Sequence, residues 1–320
     1  MTPLLDVEAA VGRLAAGELV GFPTETVYGL GADASNSDAL RALYAAKGRP
    51  AGHPVIVHLG DGAALDAWAA EVPDHAHRLV AQWWPGPLTV VVAASARVSR
   101  VATGGLDTVG LRVPDHPVAL ELIERFGGGV AAPSANRFGR VSSTTAAAVR
   151  AEFGPEIAGV VDGGACGVGV ESTIVDCTSE TVRVLRPGAI TAEMIGELLG
   201  VEVLLGGTTR APGTLASHYA PAARVEIVAR SSIGVRAAML LGAGDRVGII
   251  AARDDLPDGL DDAVVTLATA DSPAEYARIL YSALRSADDH DVDVVLAVPP
   301  EPIGIGAAVA DRLGRAATGR

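Results

Sequence analysis

Two cations separated by a single glycine stand out among the residues whose chemistry could act on a ligand. Lys47 and Arg49 flank Gly48, where a predicted helix ends, so both charges could converge on one anion. An ammonium beside a forked guanidinium suits the phosphates of a nucleotide, although the helix dipole alone also favours cations at a helix C-terminus. The chain has 24 arginines and only this one lysine, which leaves two explanations: chance in an arginine-rich composition, or a role at position 47 that arginine cannot perform.

A third cation, Arg112, lies in an otherwise apolar segment of high β propensity, residues 108–113. An unpaired charge in such a strand would be strongly unfavourable. We therefore expect Arg112 to pair either with a carboxylate of the chain itself or with the carboxylate of a bound substrate.

Small hydroxyl and amide side chains follow another short strand, in the run Pro133-Ser134-Ala135-Asn136 and onward to Ser142. Such side chains and their backbone N–H groups suit phosphate or ribose oxygens. Capping of the next helix by Ser143 or Thr144 would explain part of the pattern without a ligand.

Further polar residues lie in three other loops. The loop Pro23–Gly31 follows a strand, at the end where open α/β sheets bind ligands. Glycine-rich residues 163–169 lead to Glu171-Ser172-Thr173, and the run His218-Tyr219-Ala220-Pro221 places two polar rings in a segment that looks like a linker. Each signal is weak singly, and together they indicate a ligand site built from loops.

Several familiar catalytic signatures are missing from the sequence. It contains no GxxxxGK[ST] phosphate loop, no GxGxxG turn between strand and helix, no HExxH or CxxC metal pattern and no GxSxG elbow. Cys166 and Cys177 lie in or beside β segments and are expected to be small core residues. The residues therefore favour chemistry by positioning and charge neutralisation, such as nucleotidyl transfer to a bound carboxylate.

The elements that must position these residues alternate between helix and strand, and 320 residues, 49% of them apolar, suffice for two α/β domains. Predicted helices cover 6–16, 37–46, 75–83, 117–126, a stretch from 191, 232–241, 273–288 and 306–316, the second capped by Ser37 or Asp38. Predicted strands cover 19–22, 54–59, 89–94, 108–113, 130–132, 158–161, 173–176, 182–185, 201–205, 225–229, 246–251, 263–267 and 292–298. Residues 206–222 have no helical or strand period, so we predict domains over 1–205 and 223–320 with a linker between them.

The net charge of −13 disfavours a protein that binds nucleic acid through its phosphates. No apolar run is long enough for a transmembrane helix, and the N-terminus lacks the basic region of a signal peptide. We expect a cytoplasmic protein.

Taken together, the motifs resemble the Sua5/YrdC family of threonylcarbamoyl-AMP synthases, in its longer two-domain Sua5 type. Those that match, in order, are PTETVYGLG, AKGRP, HPVIVHL, WPGPLT, VGLRVPDH, AAPSAN, GRVSST, VDGG, VGVESTIVD, LRPGAIT, HYAP in the linker and GIGAAVADRLGRAA near the end. The resemblance implies a twisted, open mixed α/β sheet as the catalytic domain and a smaller Rossmann-like C-terminal domain. It also implies that the linker folds back over the active site as a lid.

The activity that the resemblance implies is a nucleotidyl transfer. L-threonine, bicarbonate and ATP give threonylcarbamoyl-AMP and pyrophosphate, with Mg²⁺ accompanying ATP and no metal held by side chains. The product would pass to a separate transferase complex that makes t6A at position 37 of tRNA.

The resemblance also assigns the site residues. Those at the phosphates, where they would neutralise charge, are Lys47 and Arg49. Those on the threonine side are Thr26, His58, Arg112, Ala132 through its backbone, and Ser172. Those on the ATP side are Arg49, His53, Thr108, Ser134, Asn136, Ser142, Arg186 and Tyr219.

The chain departs from the family pattern at two positions. His53 stands where asparagine is usual, and Phe138 where a small serine is common. A related carbamoyl-transferring hydrogenase-maturation protein is an alternative, but such chains are far longer and carry zinc fingers that two cysteines cannot build. An RNA-binding module and an ATP-binding regulatory protein without turnover are the non-enzymatic alternatives, and the acidic charge weighs against the first.

Overall fold

The computed structural model describes residues 2–213 and 219–318. The helices in these residues are α1 (Val7–Ala15), α2 (Ser37–Lys47), α3 (Leu65–Trp68), α4 (Asp74–Trp83), α5 (Pro117–Phe126), α6 (Ala146–Phe153), α7 (Ala192–Leu199), α8 (Ile233–Gly242), α9 (Pro273–Asp289) and α10 (Ile305–Ala317). The strands are β1 (Leu4–Leu5), β2 (Val20–Phe22), β3 (Gly29–Asp33), β4 (Ile56–His58), β5 (Ala69–Glu71), β6 (Leu88–Ala94), β7 (Thr108–Arg112), β8 (Val130–Ala131), β9 (Gly159–Val161), β10 (Thr173–Asp176), β11 (Arg183–Arg186), β12 (Leu204–Leu205), β13 (Arg224–Ile227), β14 (Val247–Ala252), β15 (Val265–Ala270) and β16 (Val294–Ala297).

The first compact unit, residues 2–138, 143–167 and 171–213 of the described chain, is built on one large mixed sheet. Its strand order is β1-β9-β2-β3-β8-β4-β7-β6-β10-β11-β12, with β5 pairing with β6. The sheet contains both parallel pairs, such as β4 with β7, and antiparallel pairs, such as β6 with β7. The predicted mixed α/β sheet is confirmed.

The core of this sheet follows from the alternation of side chains along each strand. Val20 and Phe22 of β2 point into a cluster with α1 and α5, while Leu30 of β3 belongs to a larger cluster with Leu40 and Leu43 of α2. Both faces of the sheet are thus covered by helices. Three predicted site residues lie at strand ends of this sheet: His58 ends β4, and Thr108 and Arg112 begin and end β7.

The second unit comprises residues 139–142, 168–170 and 219–318 of the described chain. Its sheet has the order β13-β16-β14-β15 with every pair parallel. A parallel sheet whose strands alternate with helices is the Rossmann-like arrangement that we expected.

The loop predicted at Pro23–Gly31 is shorter than expected. Gly29–Asp33 forms β3, which pairs with β2 and β8, because Leu30 and Ala32 alternate inward and are fully buried. The prediction of loop structure to residue 31 was therefore wrong.

Two predicted helix caps were also wrong. Asn36, not Ser37 or Asp38, caps α2, because its side-chain oxygen accepts from the N–H groups of Asp38 and Ala39. Thr145, not the two preceding hydroxyl residues, caps α6. In both cases the cap lies one residue from the expected position.

None of the helices within residues 2–213 and 219–318 is long and apolar enough to cross a membrane. Part of the predicted linker, residues 214–218, lies outside the described residues, and His218 with it.

Candidate active site

The single lysine ties the end of α2 to the loop that follows β8. Gly48 ends the helix in a left-handed conformation, φ 62°, which confirms the predicted stop. The buried Lys47 ammonium donates to the backbone carbonyls of Ser134 and Asn136, while its own carbonyl accepts from the N–H of Phe138 at 2.7 Å. Burial, reinforced by the Arg49 charge, holds the pKa of Lys47 well below its usual value.

Arg49 lies beside this lysine and fixes the next turn. Its guanidinium donates to the carbonyl of Pro54 at 2.7 Å and to that of His53 at 3.3 Å. It also lies over the ring of Phe138, 5.8 Å from the centroid. The two predicted phosphate-binding cations are thus neighbours on one turn.

The two positions that depart from the family pattern contact each other. The rings of His53 and Phe138 meet edge to face, with centroids 5.5 Å apart. Burial, with the nearby charges of Arg49 and Arg210, lowers the pKa of His53. The Phe138 ring therefore contacts both the His53 ring and the Arg49 guanidinium, and neither position alone predicts this arrangement.

Arg112 pairs with a carboxylate of the chain, the first of the two alternatives. Its Nη2 lies 2.7 Å from Oε2 of Glu25, Nη1 donates to the Thr26 hydroxyl at 2.9 Å, and Nε donates to the carbonyl of Gly86 at 3.2 Å. Glu25 is the functional candidate that the sequence reasoning missed. The feature of the sequence that could have identified Glu25 is its position next to Thr26, on the loop that leads into the buried strand β3.

The loop that carries Glu25 is rigid because of its threonines. The Thr24 hydroxyl donates to the carbonyl of Val27 at 2.7 Å and accepts from the N–H of Thr26 at 3.2 Å. A side-chain turn of this kind fixes the backbone at residues 24–27. Glu25 and Thr26 are consequently held at Arg112.

His58 stands next to Arg112 because the parallel register of β4 and β7 pairs their Cα atoms. Burial, followed by the Arg112 charge, lowers the pKa of His58 to about 3, so the ring is neutral near pH 7. Its Nδ1 makes no hydrogen bond to any residue that the structure describes. The strand end thus places a buried, neutral ring beside the Arg112 guanidinium.

We predict that His58 makes the fold sensitive to acid. Its pKa is about 3 in the folded chain and about 6.5 when unfolded, so between these values only the unfolded chain binds the proton. The free energy of unfolding should fall as pH drops through this range, and this group should account for about 1.5 kcal/mol between pH 6.5 and pH 5. In urea unfolding, the free energy of unfolding of His58→Gln should therefore fall by about 1.5 kcal/mol less than that of the unchanged chain between pH 6.5 and pH 5. The exposed His290→Gln is the control, and equal pH slopes for His58→Gln and the unchanged chain would contradict the prediction.

Ser172 and Arg186 belong to one buried network. The Ser172 hydroxyl lies 2.8 Å from that of Thr89, and Arg186 donates to both the carbonyl and the hydroxyl of Ser172. Arg186 also donates to the carbonyl of Pro212 at 3.0 Å, in the predicted linker. One predicted ATP-side residue therefore contacts both a predicted threonine-side residue and the linker.

Thr108 and Ala132 complete the predicted residues of the first unit. Thr108 begins β7 and is half-buried, beside the linker residues Arg210 and Ala211. The N–H of Ala132 donates to the carbonyl of Ile56 at 2.9 Å, so its amide is engaged within the sheet.

Ser142 and Tyr219 belong to the second unit, on two segments that pair with each other through Arg140 and Ala220. Tyr219 has a φ of 66°, unusual for a residue with a side chain. It is buried there, with its ring centroid 5.6 Å from that of Tyr281 and 5.3 Å from the Arg312 guanidinium.

The two cysteines are buried, and burial raises the pKa of Cys166 to about 12 and that of Cys177 further. This confirms that they are core residues, since such thiols are protonated near neutral pH.

No three His, Cys, Asp or Glu side chains converge as a metal site within residues 2–213 and 219–318.

Two family models match the chain. One, described as telomere recombination and covering Sua5, YciO and YrdC, matches residues 13–188, and the other, the threonylcarbamoyl-AMP synthase C-terminal domain, matches residues 190–318. The chain is 41% identical to the threonylcarbamoyl-AMP synthase of Pyrococcus abyssi over 97% of its length and 93% of that protein. It is 39% identical to that of Bacillus subtilis over 98% of its length and 93% of that protein. The structure of P. abyssi Sua5 complexed with L-threonine superposes with a TM-score of 0.90 at 40% identity, over 98% of this chain and 94% of that one.

Proposed function

Since the chain belongs to the Sua5/YrdC family of threonylcarbamoyl-AMP synthases, we propose that it converts L-threonine, bicarbonate and ATP into threonylcarbamoyl-AMP and pyrophosphate. The observation that carries the proposal is the likeness to a threonine-bound relative over nearly the whole chain. The absence of a nucleophile pattern from the sequence agrees with it, since the acceptor is a bound substrate.

Threonine would bind at the end of β4 and β7. Arg112 would hold its carboxylate, because guanidinium and carboxylate form paired, charge-assisted hydrogen bonds. Thr26, His58, Ser172 and the backbone of Ala132 would surround the rest of the amino acid. Burial of this pocket strengthens each polar contact relative to water.

The reaction needs no group of the protein to form a covalent bond. Once the α-ammonium group of threonine has lost a proton to solvent, the neutral amine combines with bicarbonate to give a carbamate and water. A carbamate oxygen then attacks the α-phosphorus of ATP, and the bond from that phosphorus to the bridging oxygen breaks as pyrophosphate leaves. The residues contribute by orienting the two substrates and by offsetting charge at the phosphates.

The turn after α2 would supply that positive charge. Arg49 and His53 would contact the phosphates, with Ser134 and Asn136 beside them on the loop that Lys47 holds. Thr108 and Arg186 are further ATP-side candidates in the first unit, and the family resemblance assigns Ser142 and Tyr219 the same role.

We propose that Mg²⁺ enters with ATP, because Mg²⁺ in nucleotide sites is commonly bound through the substrate phosphates. Bound to the phosphates, it would add charge neutralisation for the departing pyrophosphate.

We further propose a cytoplasmic protein that passes its adenylate to a t6A transferase complex. The net charge of −13 fits an enzyme that makes a small molecule for tRNA chemistry without itself binding tRNA strongly.

The test is release of pyrophosphate from ATP that depends on both threonine and bicarbonate. Incubation with ATP, Mg²⁺ and bicarbonate should give an adenylate with the mass of threonylcarbamoyl-AMP only when threonine is present. ATP binding without any threonine-dependent product would instead favour a regulatory ATP-binding protein.

A further inference from the structure

Glu25 carries a charge in the predicted threonine pocket that nothing in the proposed reaction uses. Its side chain is 12% exposed. Neither carboxylate oxygen makes a hydrogen bond to a residue of the described chain, although Oε2 lies 2.7 Å from Arg112 Nη2. A carboxylate can accept about four hydrogen bonds, so this one has unused acceptor capacity beside Arg112.

Arg112 does not need Glu25 to hold its position. Its Nε and Nη1 are already fixed by the carbonyl of Gly86 and the hydroxyl of Thr26. Only Nη2 faces Glu25. The carboxylate therefore occupies the part of the guanidinium that a substrate carboxylate would take.

A substrate carboxylate on Arg112 would leave Glu25 as a second negative charge in a buried pocket, which is strongly unfavourable without a cation. Of the described residues, His58 beside Arg112 and Cys166 beside Glu25 do not supply one. His58 is neutral because burial lowers its pKa to about 3, and the Cys166 thiol can carry no positive charge. An α-amino acid brings the missing cation itself, since its ammonium lies one carbon from its carboxylate.

We propose that Glu25 binds the α-ammonium group of the amino-acid substrate. The incoming carboxylate replaces Glu25 on Arg112, and the released Glu25 carboxylate pairs with the ammonium. Glu25 thereby selects α-amino acids over carboxylic acids that lack the amine. This inference rests on the proposed function and deepens its threonine site.

The test compares L-threonine with 3-hydroxybutyrate, which has the same carboxylate and hydroxyl but no amine. Titration calorimetry on the full chain should show that Glu25→Gln binds threonine at least tenfold more weakly. The same variant should bind 3-hydroxybutyrate as well as or better than the unchanged chain, because Arg112 no longer has a competing internal carboxylate. Glu121→Gln, which removes an exposed glutamate that also pairs with an arginine, is the matched control.

The outcomes separate this inference from the function on which it rests. If Glu25→Gln weakens the binding of both ligands equally, Glu25 only positions Arg112. If the affinity for threonine is unchanged, Glu25 does not bind the amine. Either result overturns the inference. If the unchanged chain does not bind threonine, the proposed function and the inference are both overturned. ATP binding by Glu25→Gln reports its folding. If that variant does not fold, Glu25→Asp decides in its place, since the shorter carboxylate should lower threonine affinity but not 3-hydroxybutyrate affinity.

Discussion

Replacing Lys47 by arginine should lower turnover by more than tenfold while the protein stays folded. The ammonium sits between two backbone carbonyls, those of Ser134 and Asn136, in a fully buried space at the end of α2. A guanidinium is planar and wider, so it cannot donate to both carbonyls without moving the loop. A displacement of about 1 Å in a positioning loop can reduce rate by about 100-fold.

The measurement for Lys47→Arg is steady-state pyrophosphate release together with thermal unfolding. Arg41→Lys, an exchange between the same two residue types at an exposed position of the same helix, is the control and should behave like the unchanged chain. Near-normal turnover of Lys47→Arg would show that the single lysine among 25 basic residues has no special role.

Replacing Arg112 by lysine should reduce kcat/KM for threonine by about 100-fold and change KM for ATP by less than about threefold. Lysine keeps the charge but loses the fork that reaches Thr26, Gly86 and Glu25 together. Loss of one of the two charge-assisted hydrogen bonds of the fork, about 1.5–3 kcal/mol, accounts for an effect of this size.

The same substitution should also lower the free energy of unfolding by about 1–3 kcal/mol, because Glu25 is left buried with a poorer partner. Kinetics at saturating ATP and at saturating threonine separate the two substrates, with the exposed Arg125→Lys as the control. An increase in the KM for ATP alone would indicate that Arg112 binds ATP and not threonine, which would contradict the prediction.

Much of the fold was predictable because its signals are local. The end of α2 at Gly48 is a short-range feature, and the structure confirms it. The start of α9 is equally local, because the Ser272 side chain caps it by accepting from the N–H of Glu275. The strands β1 and β5 and the four-residue helix α3 were missed because two to four residues carry too little periodicity.

The sequence predicted which residues form the site, but not which of them contact each other. Arg112 and Thr26 are 86 positions apart, and only the sheet order brings them together. The same holds for His53 and Phe138, whose edge-to-face contact joins two departures from the family pattern. Glu25 was not predicted because nothing in the sequence around it shows that Arg112 lies next to its carboxylate in the fold.

The burial of Lys47 has a consequence for the chemical reactivity of the whole protein. The chain has one ε-amine, and the fold encloses it against main-chain oxygens with its pKa lowered by burial. Amine-directed acylating reagents and cross-linkers therefore meet no accessible lysine on the native surface. Acylation of Lys47 therefore becomes a marker of opening at the end of α2, because the 24 arginine side chains do not react with the same reagents.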